Sequence, residues 1–115
     1  MGFLAALLGP GVIETCPACG QDASRHARRT LARERFAPGL SGIESLLEQG
    51  RFEEAARLDD KSALGDLLVH VLLRCQRGAS IITVEEPAAF GLEPRIRRTT
   101  LLQADDADRA FTAAP

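Results

Sequence analysis

The sequence contains no tryptophan and no tyrosine, and five phenylalanines make up all of its aromatic content. Proteins that hold single-stranded nucleic acid stack the bases on aromatic side chains, so this composition supplies little of such a surface. The formal net charge of −2 gives no overall attraction to nucleic acid either. No apolar run reaches the roughly 20 residues that a membrane-spanning helix needs, so we expect no transmembrane segment.

The chain also has few cysteines, three in all, and this odd number does not suit a disulfide framework. Its apolar start, residues 1–8, carries no positively charged side chain and is not followed by the cleavage site of a secretory leader. These features favour the reducing cytoplasm. In that compartment, two nearby cysteines bind a metal or do thiol chemistry more often than they form a structural disulfide.

The length and composition predict one globular domain, because the chain has 115 residues, of which 45% are hydrophobic and 26% charged. We place this domain at residues 1–103 and a flexible acidic tail at residues 104–115. Within the domain, residues 1–21 supply an apolar N-terminus and a cysteine turn. Residues 22–77 are predicted to be helical, and residues 79–103 are predicted to form a β-hairpin.

Three signals predict where the helices begin. Asp22 can cap a first helix whose surface is rich in arginine. Ser41 and Glu44 form a capping box, and the two short helices that follow resemble one hairpin of a tetratricopeptide repeat, without a second copy. Ser62 can cap the most apolar helix, which we expect to form the centre of the core.

Two stretches rich in β-branched residues, 79–86 and 95–103, predict an antiparallel strand pair. The resulting fold class is α+β, in a small single domain. It consists of an N-terminal Cys-x-x-Cys turn, about four helices that include an αα-hairpin, and a C-terminal antiparallel β-hairpin.

The motif Cys16-Pro17-Ala18-Cys19-Gly20 is the strongest chemical signal in the sequence. Two thiols three positions apart can bind one metal ion, and the proline and glycine favour the tight turn that directs both sulfurs inward. The motif resembles one half of a zinc ribbon, in which two such turns bind one zinc ion through four cysteines. The sequence holds no second Cys-x-x-Cys, so the resemblance implies zinc but leaves the other ligands to be found.

The candidates for the missing ligands are His26, His70 and Cys75. On the predicted third helix, His70 and Cys75 lie about 140° apart around the axis, so they cannot share one ion, and we assign Cys75 to the core. His26 is preferred because the chain can return it to the turn from the start of the first predicted helix. Asp22 or a second subunit in an oligomer could complete the set. The predicted ligands of a possible zinc ion are Cys16, Cys19 and His26.

Two alternatives to metal binding stay open at the cysteine turn. Cys-Pro-x-Cys also resembles the active motif of thioredoxin and glutaredoxin, which implies thiol redox chemistry at Cys16 and Cys19. In that family a buried strand precedes the motif and a helix begins at its first cysteine, whereas Gly20 and Asp22 place the predicted helix after it. The second alternative is a turn with two reduced cysteines and no chemistry.

A third hypothesis is that the protein is a nucleic-acid-binding accessory that uses its arginine-rich helix. A helix followed by a hairpin resembles a winged-helix DNA binder, but the helix before the hairpin is almost entirely apolar and cannot read base edges. The arginines that would meet phosphates are Arg25, Arg28 and Arg29, together with Arg95, Arg97 and Arg98.

The function that we expect is that of a small soluble interaction or adaptor-type protein. The sequence shows no nucleophile–base pair and no phosphate-binding loop, so it predicts no catalytic residues and gives no indication of an enzyme. The expected partner is another protein rather than nucleic acid. Its predicted docking residues are Phe3, Leu4, Leu7, Leu8, Arg25, Arg28 and Arg29.

Overall fold

A computed structural model describes residues 12–115, and the predicted docking residues Phe3, Leu4, Leu7 and Leu8 lie outside that range. The predicted architecture of about four helices followed by a hairpin is wrong, because the described chain forms an open four-stranded sheet with three helices. The elements are β1 (Ala27–Arg35), α1 (Gly42–Glu48), α2 (Phe52–Arg57), β2 (Leu67–Cys75), β3 (Gly78–Glu86), β4 (Arg95–Leu102) and α3 (Ala104–Ala113).

The sheet is an antiparallel meander in the order β1-β2-β3-β4. Strands β2 and β3 are joined by the tight turn at Gln76 and Arg77, and Cys75 pairs with Gly78 across it. Strands β3 and β4 form the antiparallel pair that the sequence predicts. Chain order and spatial order therefore coincide throughout the sheet.

Strand β2 replaces the central helix that the sequence predicts. Leu68, Val69 and Leu73 are fully or almost fully buried, and residues 68–73 are buried in an unbroken run. A strand that is covered on both faces loses the polar alternation that marks a half-exposed strand, so its sequence looks like that of a buried helix. Gly65, which lies just before β2, has a positive φ, and this conformation interrupts the helix that the sequence predicts from Ser62.

Strand β1 replaces the predicted arginine-rich helix. Its pairing with β2 shifts register between Thr30 and Ala32, which marks a β-bulge. Leu31 and Ala32 are consecutive, yet both are fully buried in the same cluster against the helices. The bulge therefore removes the period-2 pattern from the sequence of this strand.

The helices cover one face of the sheet. Ser41 caps α1, and its side chain and that of Glu44 form the predicted capping box. Gly50, with a φ of 71°, makes the reversal between α1 and α2, so the αα-hairpin is present where the sequence predicts it. Ile43 and Phe52 from this hairpin pack on the sheet in the larger apolar cluster.

Residues 104–113 form helix α3, in the region where the sequence predicts a flexible tail. Ala107, Ala110, Phe111 and Ala114 follow the spacing i, i+3, i+4, i+7 and are all buried against the sheet. Acidic side chains in the first turn suit the positive end of the helix dipole. The apolar face of α3 is therefore part of the larger apolar cluster.

The opposite face of the sheet is covered in part by the segment that precedes β1. Ile13, Cys16 and Ala23 from this segment pack with Val71 and Leu73 of β2 in a second apolar cluster. The cysteine turn is therefore placed against the sheet rather than before a helix. Among residues 12–115, no helix is both long and apolar enough to cross a membrane.

Candidate metal centre

The cysteine turn is a compact backbone loop. The N–H of Cys16 donates to the carbonyl of Gln21 at 2.8 Å, and the N–H of Gly20 donates to the carbonyl of Cys16 at 2.7 Å. Gly20 has a φ of 75°, a conformation that glycine adopts at no steric cost. Thr15 and Asp22 form an antiparallel bridge that closes the loop. These bonds hold both thiols on the side of the loop that faces the sheet.

Two other elements bring further candidate ligands to this turn. His26 directly precedes β1, and its backbone N–H donates to the carbonyl of Ala23 at 3.1 Å. Cys75 is the last residue of β2 and packs against the same cluster as Leu73 and Cys16. The antiparallel pairing of β1 with β2 places the start of one strand beside the end of the other, so His26 and Cys75 meet at one end of the sheet.

The four candidate ligands converge on one point. One ligand atom from each of Cys16, Cys19, His26 and Cys75 lies within 4.8 Å of each of the others. The Cys19 sulfur and the Nε2 of His26 are 3.3 Å apart. In a tetrahedral zinc site, bond lengths of about 2.3 Å to sulfur and about 2.0 Å to nitrogen put neighbouring ligand atoms about 3.5 to 3.8 Å apart. The four residues can therefore bind a metal ion after small side-chain movements.

The environments of the thiols differ. Burial raises the pKa of the Cys16 thiol, and hydrogen bonds from the backbone of Cys19 and Ala18 offset this only in part. Burial acts in the same direction on Cys75, but hydrogen bonds from the backbone of Arg77 and from the Cys16 thiol outweigh it and lower the pKa of Cys75. Of Cys16 and Cys75, Cys75 is thus the thiol that loses its proton more readily, as a metal ligand must.

The structure adds a residue that the sequence interpretation had excluded. Cys75 joins Cys16, Cys19 and His26, whereas the predicted helix had assigned it to the core. His70 does point away from Cys75, because residues five apart on a strand face opposite sides of the sheet. The Asp22 carboxylate is engaged elsewhere: it accepts hydrogen bonds from the N–H and hydroxyl of Ser24, which lower its pKa.

His70 lies in a buried polar network on the helix-covered face. Its Nε2 is 2.6 Å from a carboxylate oxygen of Glu34, and its Nδ1 is 2.8 Å from the Thr83 hydroxyl. The Ser41 hydroxyl donates to the same Glu34 oxygen at 2.7 Å. His70 is 0% and Thr83 1% exposed, and the hydrogen bonds of this network join β1, β2, β3 and the start of α1.

Two of the three predicted docking arginines make internal contacts. Arg28 donates to the carbonyl of Ile13 at 3.5 Å, and Arg29 donates to the carbonyl of Phe111 at 2.9 Å. Arg25 is exposed beside the candidate metal centre. The arginine-rich segment forms strand β1 instead of the predicted helix.

Two arginines of β4 form ion pairs with α1. The Nη2 of Arg97 lies 3.0 Å from the Oε1 of Glu44, and the Nη1 of Arg98 lies 2.6 Å from the Oε1 of Glu48. These contacts tie β4 to α1.

An open cleft of about 430 Å³ lies at the opposite end of the sheet. Its apolar part includes Phe36, which is 40% exposed, and Leu92, which is 63% exposed. Burial raises the pKa of Glu86 in its wall, and Arg33 opposes this only in part. The sequence gives no signal for this cleft, because the loops that form it follow from the sheet topology. Its charged lining residues are Asp66, Glu85, Glu86, Glu93 and Arg95.

Comparison with known proteins supplies no function for this arrangement. No protein-family model matches the chain, and neither a curated protein nor a solved structure matches it significantly. Any functional conclusion therefore rests on the geometry of these residues.

Proposed function

We propose that this protein is a small interaction domain stabilised by one structural zinc ion. The observation that carries the proposal is the convergence of three thiols and one imidazole within 4.8 Å of one another. Thiolate and imidazole ligands favour zinc over the hard cations magnesium and calcium, and Cys₃His is a common set in structural zinc sites. The site residues are Cys16, Cys19, His26 and Cys75.

A structural role suits the site better than a catalytic one. A catalytic zinc ion usually has three protein ligands and keeps a position for water, whereas four side chains are available here. The ligands come from the cysteine turn, the start of β1 and the end of β2, so a bound ion would fasten the N-terminal segment to two strands. That cross-link would stabilise a domain whose second apolar cluster depends on this segment.

The interaction part of the proposal is supported by the cleft at the other end of the sheet. Apolar side chains such as Phe36 and Leu92 are exposed there beside four carboxylates and a single arginine. Exposed apolar residues that cluster beside charge are typical of protein-binding surfaces. The excess of negative charge favours a partner segment that combines lysine or arginine with apolar side chains.

The partner surface is tested by affinity capture from the source cell with the full, zinc-loaded chain. Leu92→Asp alters the cleft, and Leu64→Asp is its matched control because Leu64 is 82% exposed and does not line the cleft. We expect Leu92→Asp to weaken capture of a basic partner about tenfold and Leu64→Asp to leave it unchanged. Equal capture by both variants, or no partner retained by the zinc-loaded protein, would contradict the proposal.

One observation supports the thiol-redox alternative: the three cysteine sulfurs lie close enough together for thiol–disulfide exchange among them. Cys16 is buried, however, and the pKa of its thiol is raised, whereas a redox-active first cysteine needs exposure and a lowered pKa. The interaction domain is therefore the function that we favour.

A further inference from the structure

A second cleft, of about 570 Å³, lies directly beside the metal centre. Its walls are formed by the cysteine turn, the start of β1 and the β2–β3 turn. Three of the candidate metal ligands, Cys19, His26 and Cys75, therefore line it. Its volume falls within the range of about 300 to 1,000 Å³ that small-molecule sites occupy. The remaining wall is made of hydrogen-bond donors, namely Arg25, Arg74, Arg77, Gln21 and Gln76, and of Ala27.

Within residues 12–115, the side chains that line this cleft include three arginines and no carboxylate. Arg25 and Arg77 form no ion pair with any carboxylate in residues 12–115, and residues 1–11 contain no acidic side chain. Asp22 is the acidic side chain nearest to Arg25 along the chain; Ser24 donates to both of its oxygens, and the charge of Arg25 helps to lower the pKa of Asp22 although the two form no ion pair.

Arg74 differs from the other two because it is held in place. It forms an ion pair with Asp108, and its guanidinium lies 5.4 Å from the centre of the Phe111 ring. This contact from α3 fixes one wall of the cleft at low cost in side-chain entropy when a ligand binds. Arg25 and Arg77 are left to meet the ligand itself.

Two guanidinium groups, rather than a surplus of charge, make the cleft suitable for an anion. Three thiolates and one Zn²⁺ sum to one negative charge and Asp22 adds another, which balances the two positive charges of Arg25 and Arg77 after Arg74 is paired with Asp108. Neither Arg25 nor Arg77 forms an ion pair within residues 12–115, so their N–H groups remain available to a bound anion. Among residues 12–115, no phenylalanine, tyrosine or tryptophan lines the cleft, so it lacks the large aromatic rings on which nucleobases usually stack.

We propose that this cleft binds the phosphate group of a small soluble phosphorylated molecule through Arg25 and Arg77. Guanidinium forks match the geometry of phosphate oxygens and bind them with two parallel hydrogen bonds. Gln21 and Gln76 add amide donors at the rim. The site rests on the proposed zinc centre, because Cys19, His26 and Cys75 form its floor.

The experiment is an NMR titration of the full, zinc-loaded chain at constant ionic strength. Inorganic phosphate, glycerol phosphate and chloride are added in separate arms, and native mass measurement records the zinc content of every sample. We expect saturable shifts of the backbone amides of residues 19–27 and 74–78 with both phosphates but not with chloride. Arg25→Gln combined with Arg77→Gln should weaken phosphate binding about tenfold or more.

The matched control is Arg57→Gln, because Arg57 is exposed on α2 and does not line the cleft. Its phosphate affinity should equal that of the unmodified protein. Zinc-loaded protein that shows no saturable phosphate binding, or a double variant that binds as tightly as Arg57→Gln, would overturn this proposal while leaving the zinc centre intact. A chain that retains no zinc would overturn the zinc centre and the phosphate site together.

Discussion

Replacing Cys75 with serine is expected to weaken zinc binding by roughly 100-fold or more, since it removes one of four ligands and the thiol whose pKa is lowered. At saturating zinc, a 100-fold loss of affinity corresponds to about 2.7 kcal/mol of stability. For a domain of this size, that loss lowers the melting temperature by about 10 °C. Zinc competition with a chromophoric chelator and thermal unfolding followed by circular dichroism measure the two quantities.

The matched control for Cys75 is Gln76→Ala in the same tight turn, which changes a side chain that is not one of the four candidate ligands and should keep both values unchanged. With zinc removed by a chelator, the unmodified protein and Cys75→Ser should unfold at nearly the same temperature, because the ligand then has no ion to hold. A Cys75→Ser protein that keeps its zinc affinity would show that Cys75 is a core cysteine, as the sequence predicts.

Replacing His70 with alanine is expected to lower the free energy of unfolding by about 3 kcal/mol. The imidazole is fully buried, so its loss leaves a cavity and removes one hydrogen-bond partner each from the Glu34 carboxylate and the Thr83 hydroxyl. Urea denaturation of the zinc-loaded protein measures the effect. The zinc content should not change, because His70 faces the side of the sheet opposite to the metal centre.

Two further variants separate the hydrogen bonds of this network from the cavity. Thr83→Val keeps the side-chain shape and removes only the hydroxyl, so it should cost about 1 to 2 kcal/mol. Glu53→Gln breaks an exposed contact with Arg57 at 3.9 Å and should change stability by less than about 0.5 kcal/mol. If His70→Ala were no more destabilising than Glu53→Gln, the network would not hold the strands together.

The elements that could be predicted are those whose signals are local. The capping box of Ser41 and Glu44 lies within four residues, and the reversal at Gly50 needs only one glycine. The stretch that becomes β3 is rich in β-branched residues, and β4 lies next to it in the sheet. Such signals act over a few residues and do not depend on the rest of the fold.

Strands β1 and β2 could not be predicted, because their burial is set by distant parts of the chain. Strand β2 is covered on one face by the helices and on the other by the cysteine turn, so both of its faces are apolar. The bulge at Leu31 hides the alternation of β1. For α3, the spacing of Ala107, Ala110 and Phe111 was present in the sequence, but alanine gives a weak apolar signal.

The wrong prediction of a helix in place of β2 also led to the assignment of Cys75 to the core rather than to the candidate metal centre. A helix turns about 100° per residue, and on that geometry Cys75 belongs to the apolar stripe. On a strand that ends beside the start of its antiparallel neighbour, the same residue reaches His26 and the cysteine turn. The motif itself identified the turn that lies at the candidate metal centre, and only the topology of the sheet brings Cys75 to it as a fourth candidate ligand.

X-ray absorption spectroscopy at the zinc edge tests the four-ligand centre most directly, with protein purified gently and without added metal. We expect one zinc ion per chain, surrounded by three sulfur atoms at about 2.3 Å and one nitrogen at about 2.0 Å. A protein that retains no zinc, or a zinc ion with only two sulfur neighbours and with oxygen in the remaining positions, would contradict the centre formed by Cys16, Cys19, His26 and Cys75.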